Sequence, residues 1–472
     1  MRVSRLPTLV AVLAGCTGPG PQSRQPFVAP EDSDTSVDSA TVDTDSSAVT
    51  DSDAEDSDLP EVDGPTLYFA ERTHSPITPW STATLRAIAA NNPALHDNVF
   101  MKVGASSTVS TSTLYCFAGN NVVLDSHAGL QGTLDFFLGG DADGTTPFDR
   151  DTIAAESGVH AGWAIEGDPA PVEEELAAIS PRLGIIHYGA NDMGWGSTYE
   201  IALDLYFRNM SDLMDILEEG GTIPVLTGIS RRPTNASADY WVNTWNAAIR
   251  GMAQDRQVPF IDLEYATQDL NNYGVSDDGL HLNGYSSGTC VFTDAGLEYG
   301  YNVRNLIVLE ALDRVHRTVD LSEDPPDVPI LLVGTGSGDA PWKIPALPFA
   351  HVADTAESGN RQIDEYTGCE AAQDESGPEY SYEFTLAETQ RIRFTVSDRG
   401  ESDIDVHLLD ASGTAEGCIA RGHRSIAGEL QPGTYRLVLD TWTSDEEWSG
   451  EYLMTAVPCQ DADAACDVVL GD

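Results

Sequence analysis

Residues 98–108 read Asn-Val-Phe-Met-Lys-Val-Gly-Ala-Ser-Ser-Thr, an apolar run that stops at a glycine followed by hydroxyl side chains. The run Asn98–Val103 predicts a short buried strand that ends at Gly104. Because a glycine lets the backbone turn sharply, Ser106 would be presented at the top of a sheet. Taken alone this signal is weak, since Gly and Ser are common turn residues.

Strand-like and helix-like patterns alternate along the chain from residue 65 to residue 320. Further strand-like runs occur at Leu183–Tyr188, Ile223–Thr227 and Val258–Leu263. Apolar residues spaced three and four apart predict helices between them. These residues are Leu203, Phe207, Met210, Leu213, Met214 and Leu217 before Gly220-Gly221, then Trp241, Trp245, Ile249 and Met252, and a closing helix at Val303–Val315. The alternation predicts an α/β fold with a parallel sheet, whose ligand site lies beyond the carboxyl ends of the strands.

The pattern changes near residue 345. Residues 321–345 are rich in Pro, Gly and Asp and predict a linker. From residue 346 to residue 472 the apolar residues recur with period two, which is typical of strands with one buried face. The alternating residues are Tyr380, Tyr382, Phe384 and Leu386; Ile392, Phe394 and Val396; Ile404, Val406 and Leu408; and Tyr435, Leu437 and Leu439. We expect an all-β sandwich or jelly roll here.

Two polar segments in the α/β region could support chemistry. Gly189-Ala-Asn-Asp192 follows a predicted strand, and the amide of Asn191 could donate to a developing oxyanion; the alternative is an Asx turn or a helix N-cap. In Asp278-Gly-Leu-His281 the carboxylate could accept from Nδ1–H and leave Nε2 free as a base toward a serine. The alternative is a polar loop with a surface histidine.

The order of these segments resembles that of SGNH (GDSL-like) hydrolases over roughly residues 65–320: a serine after the first strand, an asparagine after a middle strand, and Asp-x-x-His near the end. The resemblance implies a three-layer, flavodoxin-like fold and a Ser-His-Asp hydrolase that acts on esters without a metal or organic cofactor. Ser106 matches the nucleophile, Asn191 the oxyanion asparagine, His281 the general base and Asp278 its partner.

The chain also departs from the family pattern. Ala105 stands where the family usually has Asp, and Ser107 replaces an aliphatic residue, which leaves Ser107 as an alternative nucleophile. The family's oxyanion glycine is matched to Gly162, with Gly158 as the competitor. The oxyanion hole implied by the resemblance therefore consists of the Ser106 N–H, the Gly162 N–H and the Asn191 side chain.

The C-terminal region resembles the bacterial pre-peptidase C-terminal (PPC) domain over about residues 350–459. The strings Ser402–Leu408 and Gln431–Tyr435 carry this resemblance. It implies an accessory role in substrate or surface binding, or as a spacer. Asp403 and Asp405 could help to bind calcium, or they could cap strands on a solvated face.

The N-terminus predicts export and lipid anchoring. Arg2 and Arg5 precede a short apolar stretch and the string Leu13-Ala-Gly-Cys16, and the stretch is far shorter than the about 20 residues of a membrane-spanning helix. The string resembles a bacterial lipobox in a signal peptide over residues 1–16, in which Cys16 is lipidated; an ordinary cleavable signal is the alternative. Thr17 in place of Asp favours, by the same resemblance, the outer membrane or cell surface of a Gram-negative bacterium.

Composition and cysteine usage fit this location. The 472 residues include 24 Lys and Arg against 76 Asp and Glu, a formal charge of -52, so a nucleic-acid partner is not expected. Residues 17–64 are a predicted disordered linker, whose stretch from Glu31 to Gly64 is almost entirely Asp, Ser, Thr, Ala and Val. Besides Cys16 there are six cysteines, an even number that suggests disulfides. Domain membership favours the pairs Cys116–Cys290, Cys369–Cys418 and Cys459–Cys466.

Two functions follow as hypotheses. The first is a secreted, lipid-anchored esterase that cleaves a small-molecule or glycan ester, with a membrane contact only through Cys16. The second is a cell-surface carbohydrate-binding protein that keeps the hydrolase scaffold without activity, which the departures at Ala105 and Ser107 motivate.

Overall fold

The computed structural model of the protein describes residues 64–371 and 373–471. The predicted signal peptide, Cys16 and almost all of the predicted acidic linker lie outside these residues. The α-helices are α1 (Pro79–Asn91), α2 (Ser106–Val109), α3 (Gln131–Leu138), α4 (Pro171–Ile179), α5 (Tyr199–Glu219), α6 (Ala236–Arg256), α7 (Leu263–Thr267) and α8 (Gly300–Val315). The strands are β1 (His96–Gly104), β2 (Pro181–His187), β3 (Ile223–Thr227), β4 (Phe260–Ile261), β5 (Trp342–Lys343), β6 (Phe349–Asp354), β7 (Glu379–Leu386), β8 (Gln390–Asp398), β9 (Ile404–Leu409), β10 (Cys418–Gly422), β11 (Ser425–Leu430), β12 (Gly433–Thr441) and β13 (Glu451–Pro458).

The first sheet is parallel and has the order β1-β2-β3-β4. Every residue of β2 and β3 is buried, as expected for a sheet covered by helices on both faces. On the free side of β1, Gly104 forms one parallel bridge with Ala155. In a flavodoxin-like sheet a further strand lies on this side of the first strand. The single bridge at Ala155 occupies that position, so the strand order is flavodoxin-like. The predicted three-layer α/β fold is confirmed.

The element boundaries agree with the sequence patterns except at the fourth strand. The pattern over Val258–Leu263 predicts one strand, but only Phe260–Ile261 pairs, and Leu263 already begins α7. The reason lies at Asp262, whose side chain accepts a hydrogen bond from the Tyr265 N–H and caps the helix.

The C-terminal region is a β-sandwich, as predicted. One sheet has the order β10-β9-β12-β7-β5 and the other β11-β8-β13-β6. Neighbouring strands are antiparallel, except that the short β5 runs parallel to β7. The four alternating runs of the sequence form β7, β8, β9 and β12, and their apolar residues line the core between the two sheets.

The sandwich packs directly on the α/β region through β13. Tyr452, Met454 and Ala456 lie in the core between the two sheets, whereas Leu453 and Val457 belong to the core of the α/β region. Because successive side chains of a strand point to opposite faces, β13 is buried on both sides. Its outer face contacts α6, and β8 contacts α5.

The segment predicted as a linker, residues 321–345, is bonded to folded parts of the chain. The carbonyl of Ile330 accepts from the Leu67 N–H at 2.7 Å, and Asp327 Oδ2 accepts from the Ile77 N–H at 2.8 Å. Its last residues form β5 within the sandwich. The exact domain boundaries stay a prediction, but the segment is not a free spacer.

The cysteine pairings favoured by domain membership are confirmed. Disulfides join Cys116 to Cys290, Cys369 to Cys418 and Cys459 to Cys466. The first closes a loop of the α/β region, and the other two lie in the sandwich. Over residues 64–371 and 373–471, no helix has the length and apolar character needed to cross a bilayer.

Two helical glycines provide a matched test of the packing between α6 and the sandwich. A Cβ on Gly251 would lie 2.8 Å from Ala350 Cβ and 3.1 Å from Leu453 Cδ1, whereas a Cβ on Gly132 of α3 would meet open space. Gly132→Ala should raise the free energy of unfolding by roughly 0.5–1 kcal/mol through helix propensity. Gly251→Ala should lower it by about 1–3 kcal/mol through overpacking. Melting temperatures would check this, and a Gly251→Ala variant as stable as Gly132→Ala would contradict the packing described.

Candidate active site

Ser106 begins α2 directly beyond the end of β1. A Cβ at Gly104 would lie 2.7 Å from the His187 carbonyl oxygen, so no larger residue fits where the strand ends. Ala105 is the N-cap of α2, and its side chain makes no capping hydrogen bond. An Asp at this position, as in the resembled family, could accept from the first N–H groups of the helix. The departure at Ala105 therefore removes a helix cap and leaves Ser106 in place.

The structure brings Ser106, His281 and Asp278 together. Ser106 Oγ lies 2.8 Å from His281 Nε2, and His281 Nδ1 lies 2.7 Å from Asp278 Oδ2. Residues 106 and 281 are 175 positions apart in the chain. The side chain of His281 is one-third exposed, so the hydroxyl–imidazole pair is open to a substrate from solvent.

Asp278 is held by a turn of its own loop. Its Oδ1 accepts hydrogen bonds from Ser276 Oγ and from the N–H groups of Leu280 and His281. Desolvation acts to raise the pKa of Asp278, but these hydrogen bonds and that of His281 outweigh it and hold the pKa well below its usual range. The carboxylate therefore stays ionised and fixes the orientation of the imidazole.

Asn191 lies in a loop that follows β2 and is fixed by Asp192. Gly189 has φ of +121°, a conformation that favours glycine. The buried carboxylate of Asp192 accepts from the Gly189 N–H and from the Ala161 N–H, each at 2.8 Å. Burial nevertheless raises the pKa of Asp192. Asn191 Nδ2 donates one hydrogen to the Val159 carbonyl at 2.9 Å, which leaves its second amide hydrogen for a ligand.

The structure does not bring Gly162 to this site. Its N–H donates to His160 Nδ1 at 3.1 Å, because His160 caps the 3₁₀ turn that begins at Ala161. Gly162 is also absent from the walls of the cavity beside Ser106. Gly158, the competing residue, is exposed with φ of +84°. A glycine donor to the oxyanion thus stays a prediction that no contact supports.

A small cavity of about 20 Å³ opens beside the Ser106 hydroxyl. Its walls include Ser106, Asn191, Leu280 and His187, the last residue of β2. A volume of this size holds little more than one water molecule.

Two buried side chains that the sequence patterns do not indicate support the site. Arg304 of α8 donates from Nη1 to the Ser107 carbonyl at 2.8 Å and to Thr113 Oγ1 at 3.2 Å, and burial lowers its pKa to about 10. His187 pairs with Gly104 across the sheet, and burial, with a smaller effect of Arg304, holds its pKa well below its usual range. The signal for Arg304 was a cation next to apolar residues of α8, a helix that also carries Arg314 in its last turn.

One family model matches part of the α/β region. Residues 139–285 match the model of the GDSL-like Lipase/Acylhydrolase family. The chain contains a GDSL-like lipase/acylhydrolase domain. The matched region includes Asn191, Asp278 and His281 but begins after Ser106. The place of Ser106 in the site is therefore given by its contact with His281.

Solved structures with similar folds cover parts of the chain. A GDSL-like lipase from Bacteroides thetaiotaomicron is 17% identical, with a TM-score of 0.30, and the alignment covers 49% of this chain and 98% of that one. A catalytic mutant of an acetylxylan esterase from Geobacillus stearothermophilus is 13% identical, with a TM-score of 0.31 and coverages of 45% and 93%. The pre-peptidase C-terminal domain of a collagenase from Bacillus anthracis is 15% identical, with a TM-score of 0.18 and coverages of 24% and 91%. No curated protein matches the sequence.

Proposed function

We propose that the protein hydrolyses carboxylic esters through Ser106, His281 and Asp278. The observation that carries this proposal is the 2.8 Å contact between Ser106 Oγ and His281 Nε2, with Nδ1 of the same ring held by Asp278. A hydroxyl, a base and an orienting carboxylate in this arrangement are the parts that nucleophilic acyl transfer requires. Membership of the domain in an acylhydrolase family supports the same reaction class.

In the proposed reaction His281 Nε2 takes the proton of Ser106 as Oγ attacks the ester carbonyl carbon. The tetrahedral intermediate collapses, and its alcohol leaves with the proton from His281. Water, deprotonated by His281, then attacks the acyl-enzyme and releases the acid. The N–H of Ser106 and the second amide hydrogen of Asn191 would hold the oxyanion, and loss of one such donor typically costs about 100-fold or more in turnover.

The size of the cavity favours a short acyl group. A space of about 20 Å³ beside Ser106 accepts a small group such as acetyl with the least displacement of the cavity walls, whereas each added methylene group has to displace them further. We therefore propose that the substrates are esters of small acids, carried by a small molecule or by a glycan.

The competing function is a binding protein with an inactive hydrolase scaffold. The departures at Ala105 and Ser107 motivate it. At Ala105 only the capping position of α2 differs from the family pattern, and Ser106 keeps its contact with His281. The intact Ser-His-Asp geometry favours an enzyme.

Substitution of the three residues tests the reaction. With p-nitrophenyl acetate, Ser106→Ala and His281→Ala should each lower kcat by about 1,000-fold or more, because each removes a reacting group. Asp278→Asn should also lower kcat strongly, since the amide no longer fixes the imidazole. Ser107→Ala is the matched control and should keep most of the activity.

A fluorophosphonate label mapped by mass spectrometry identifies the nucleophile in the same preparations. We expect the label on Ser106 of the wild-type protein and none on the Ser106→Ala variant. Equal background rates for wild type and all variants would establish the inactive binding protein instead, and a label on Ser107 would move the nucleophile by one residue.

The acyl-chain preference tests the role of the cavity. For p-nitrophenyl esters of acetate, butyrate and octanoate, kcat/KM should fall with chain length, because each added methylene group needs space that the cavity does not have. Rates that rise from acetate to octanoate would show that the acyl group binds elsewhere or that the walls open readily.

We also propose that the protein is exported and anchored through a lipid on Cys16 at the outer membrane or cell surface. The lipobox-like string Leu13-Ala-Gly-Cys16 supports it, and the three disulfides fit an oxidising compartment.

Metabolic labelling tests the anchor. In a Gram-negative host, the full chain should incorporate radioactive palmitate and fractionate with membranes, whereas Cys16→Ser should do neither, because no thiol remains for the lipid. A Cys16→Ser protein that still fractionates with membranes would disprove anchoring through this residue.

A further inference from the structure

A second cavity, of about 260 Å³, lies where α5 meets the β-sandwich. Arg208 of α5 forms one wall, and the sandwich contributes Asp398, Asp403, His423, Trp442 and Trp448. The cavity shares no residue with the one beside Ser106. The reaction proposed above gives none of these residues a role.

The two tryptophans give the cavity aromatic faces. The rings of Trp442 and Trp448 are nearly parallel, at 17°, with centroids 6.4 Å apart. Both side chains belong to half-buried residues at the cavity surface. Parallel indole faces at a partly open site offer large, rigid contact area to a flat apolar surface, such as the C–H face of a sugar ring.

Asp398 supplies an unused hydrogen-bond acceptor in the same cavity. The residue is 2% exposed, and its Oδ1 has no hydrogen-bond partner within the part of the chain that the structure describes. Its backbone is held in place, because its N–H donates to Asp204 Oδ1 and its carbonyl accepts from Arg208 Nε. A buried carboxylate oxygen without a hydrogen-bond donor costs free energy. A ligand hydroxyl could supply the donor that the protein does not.

Most charged groups around the cavity are paired within the protein, whereas Glu401, also in its wall, is exposed. His423 Nδ1 lies 3.3 Å from Asp403 Oδ1 and 3.0 Å from Asp405 Oδ1, and hydrogen bonds to these carboxylates raise its pKa to about 10. Arg208 and Arg424 both form ion pairs with Asp204. A cation would compete with His423 for its carboxylates, and an anion would meet Asp398 and Glu401, so these groups favour an uncharged ligand.

We propose that this cavity binds a neutral saccharide. A sugar ring stacks on the indole faces of Trp442 and Trp448, and one of its hydroxyls donates to Asp398. Because the cavity and the Ser106 site lie in one compact unit, a bound glycan would keep the hydrolase domain on the same polymer. The proposal is independent of the esterase activity, since the two sites share no residue.

Isothermal titration calorimetry with the full chain tests binding. The probes are hexasaccharides of β-1,4-linked xylose, glucose, mannose and N-acetylglucosamine. At least one should bind the wild-type protein, and Trp442→Ala and Trp448→Ala should each weaken it by about tenfold or more. Asp398→Asn, which keeps the shape of the side chain, should weaken it several-fold. Trp80→Ala removes an exposed tryptophan of α1 and is the matched control, which should bind like the wild type.

Two further measurements keep the test decisive. Hydrolysis of p-nitrophenyl acetate and the melting temperature should be unchanged in the Trp448→Ala and Asp398→Asn variants, which separates lost binding from lost folding. If none of the four saccharides binds at millimolar concentration, or if the variants bind as tightly as the wild type, the proposal is wrong. A melting temperature raised by calcium but by no saccharide would also overturn it and identify a cation site.

Discussion

The parallel register between β1 and β2 is the constraint on which the candidate site depends. It pairs Gly104 with His187, so both strands end at the same level and the loops that follow them leave the sheet side by side. Ser106 and Asn191 therefore reach one cavity although they are far apart in sequence. A shift of this register by one residue would move every side chain of β1 to the opposite face and take the serine away from the asparagine.

The loops around this edge are held by buried polar groups. Asp192 ties Gly189 and Ala161 together, and Arg304 holds the turn after Ser106 through the Ser107 carbonyl. The Asp192 carboxylate and the Arg304 guanidinium are both buried. Burial of a charged group costs free energy, and this cost is offset here by hydrogen bonds to backbone groups that also need a partner. The side chains of Asp278 and His281 are by contrast partly exposed, so the supporting residues are buried and the candidate reacting groups face solvent.

Local patterns were sufficient for the fold and for recognising Asp278 and His281 as candidate residues, but not for the packing between the two regions. The spacing in α5 and α6 predicts amphipathic helices, and Asp278 and His281 are three residues apart, so both could be recognised within a short window. The burial of both faces of β13 could not be predicted in this way. Alternating apolar residues predict one buried face, and no neighbouring residue in the sequence indicates that Leu453 contacts α6. The glycine donor stays a prediction, because the N–H of Gly162 donates to His160, a contact that depends on the turn at Ala161 and that no short window of sequence indicates. Arg304 was missed because its partner, the Ser107 carbonyl, lies 197 positions away.

Direct packing of the sandwich on α5 and α6 changes what an accessory domain can do. A domain on a flexible linker would bind its ligand in any orientation to the hydrolase region. Here Arg399 at the end of β8 forms ion pairs with Asp212 and Asp215 of α5, and Leu453 lies in the core of the α/β region, so the two parts are tied by charge and by apolar contact. Any ligand held at their junction is therefore held at a fixed distance from Ser106. If both proposed activities hold, such an arrangement would select substrates by the spacing between the bound sugar unit and the ester along one polymer, which a small cavity at the serine cannot do by itself.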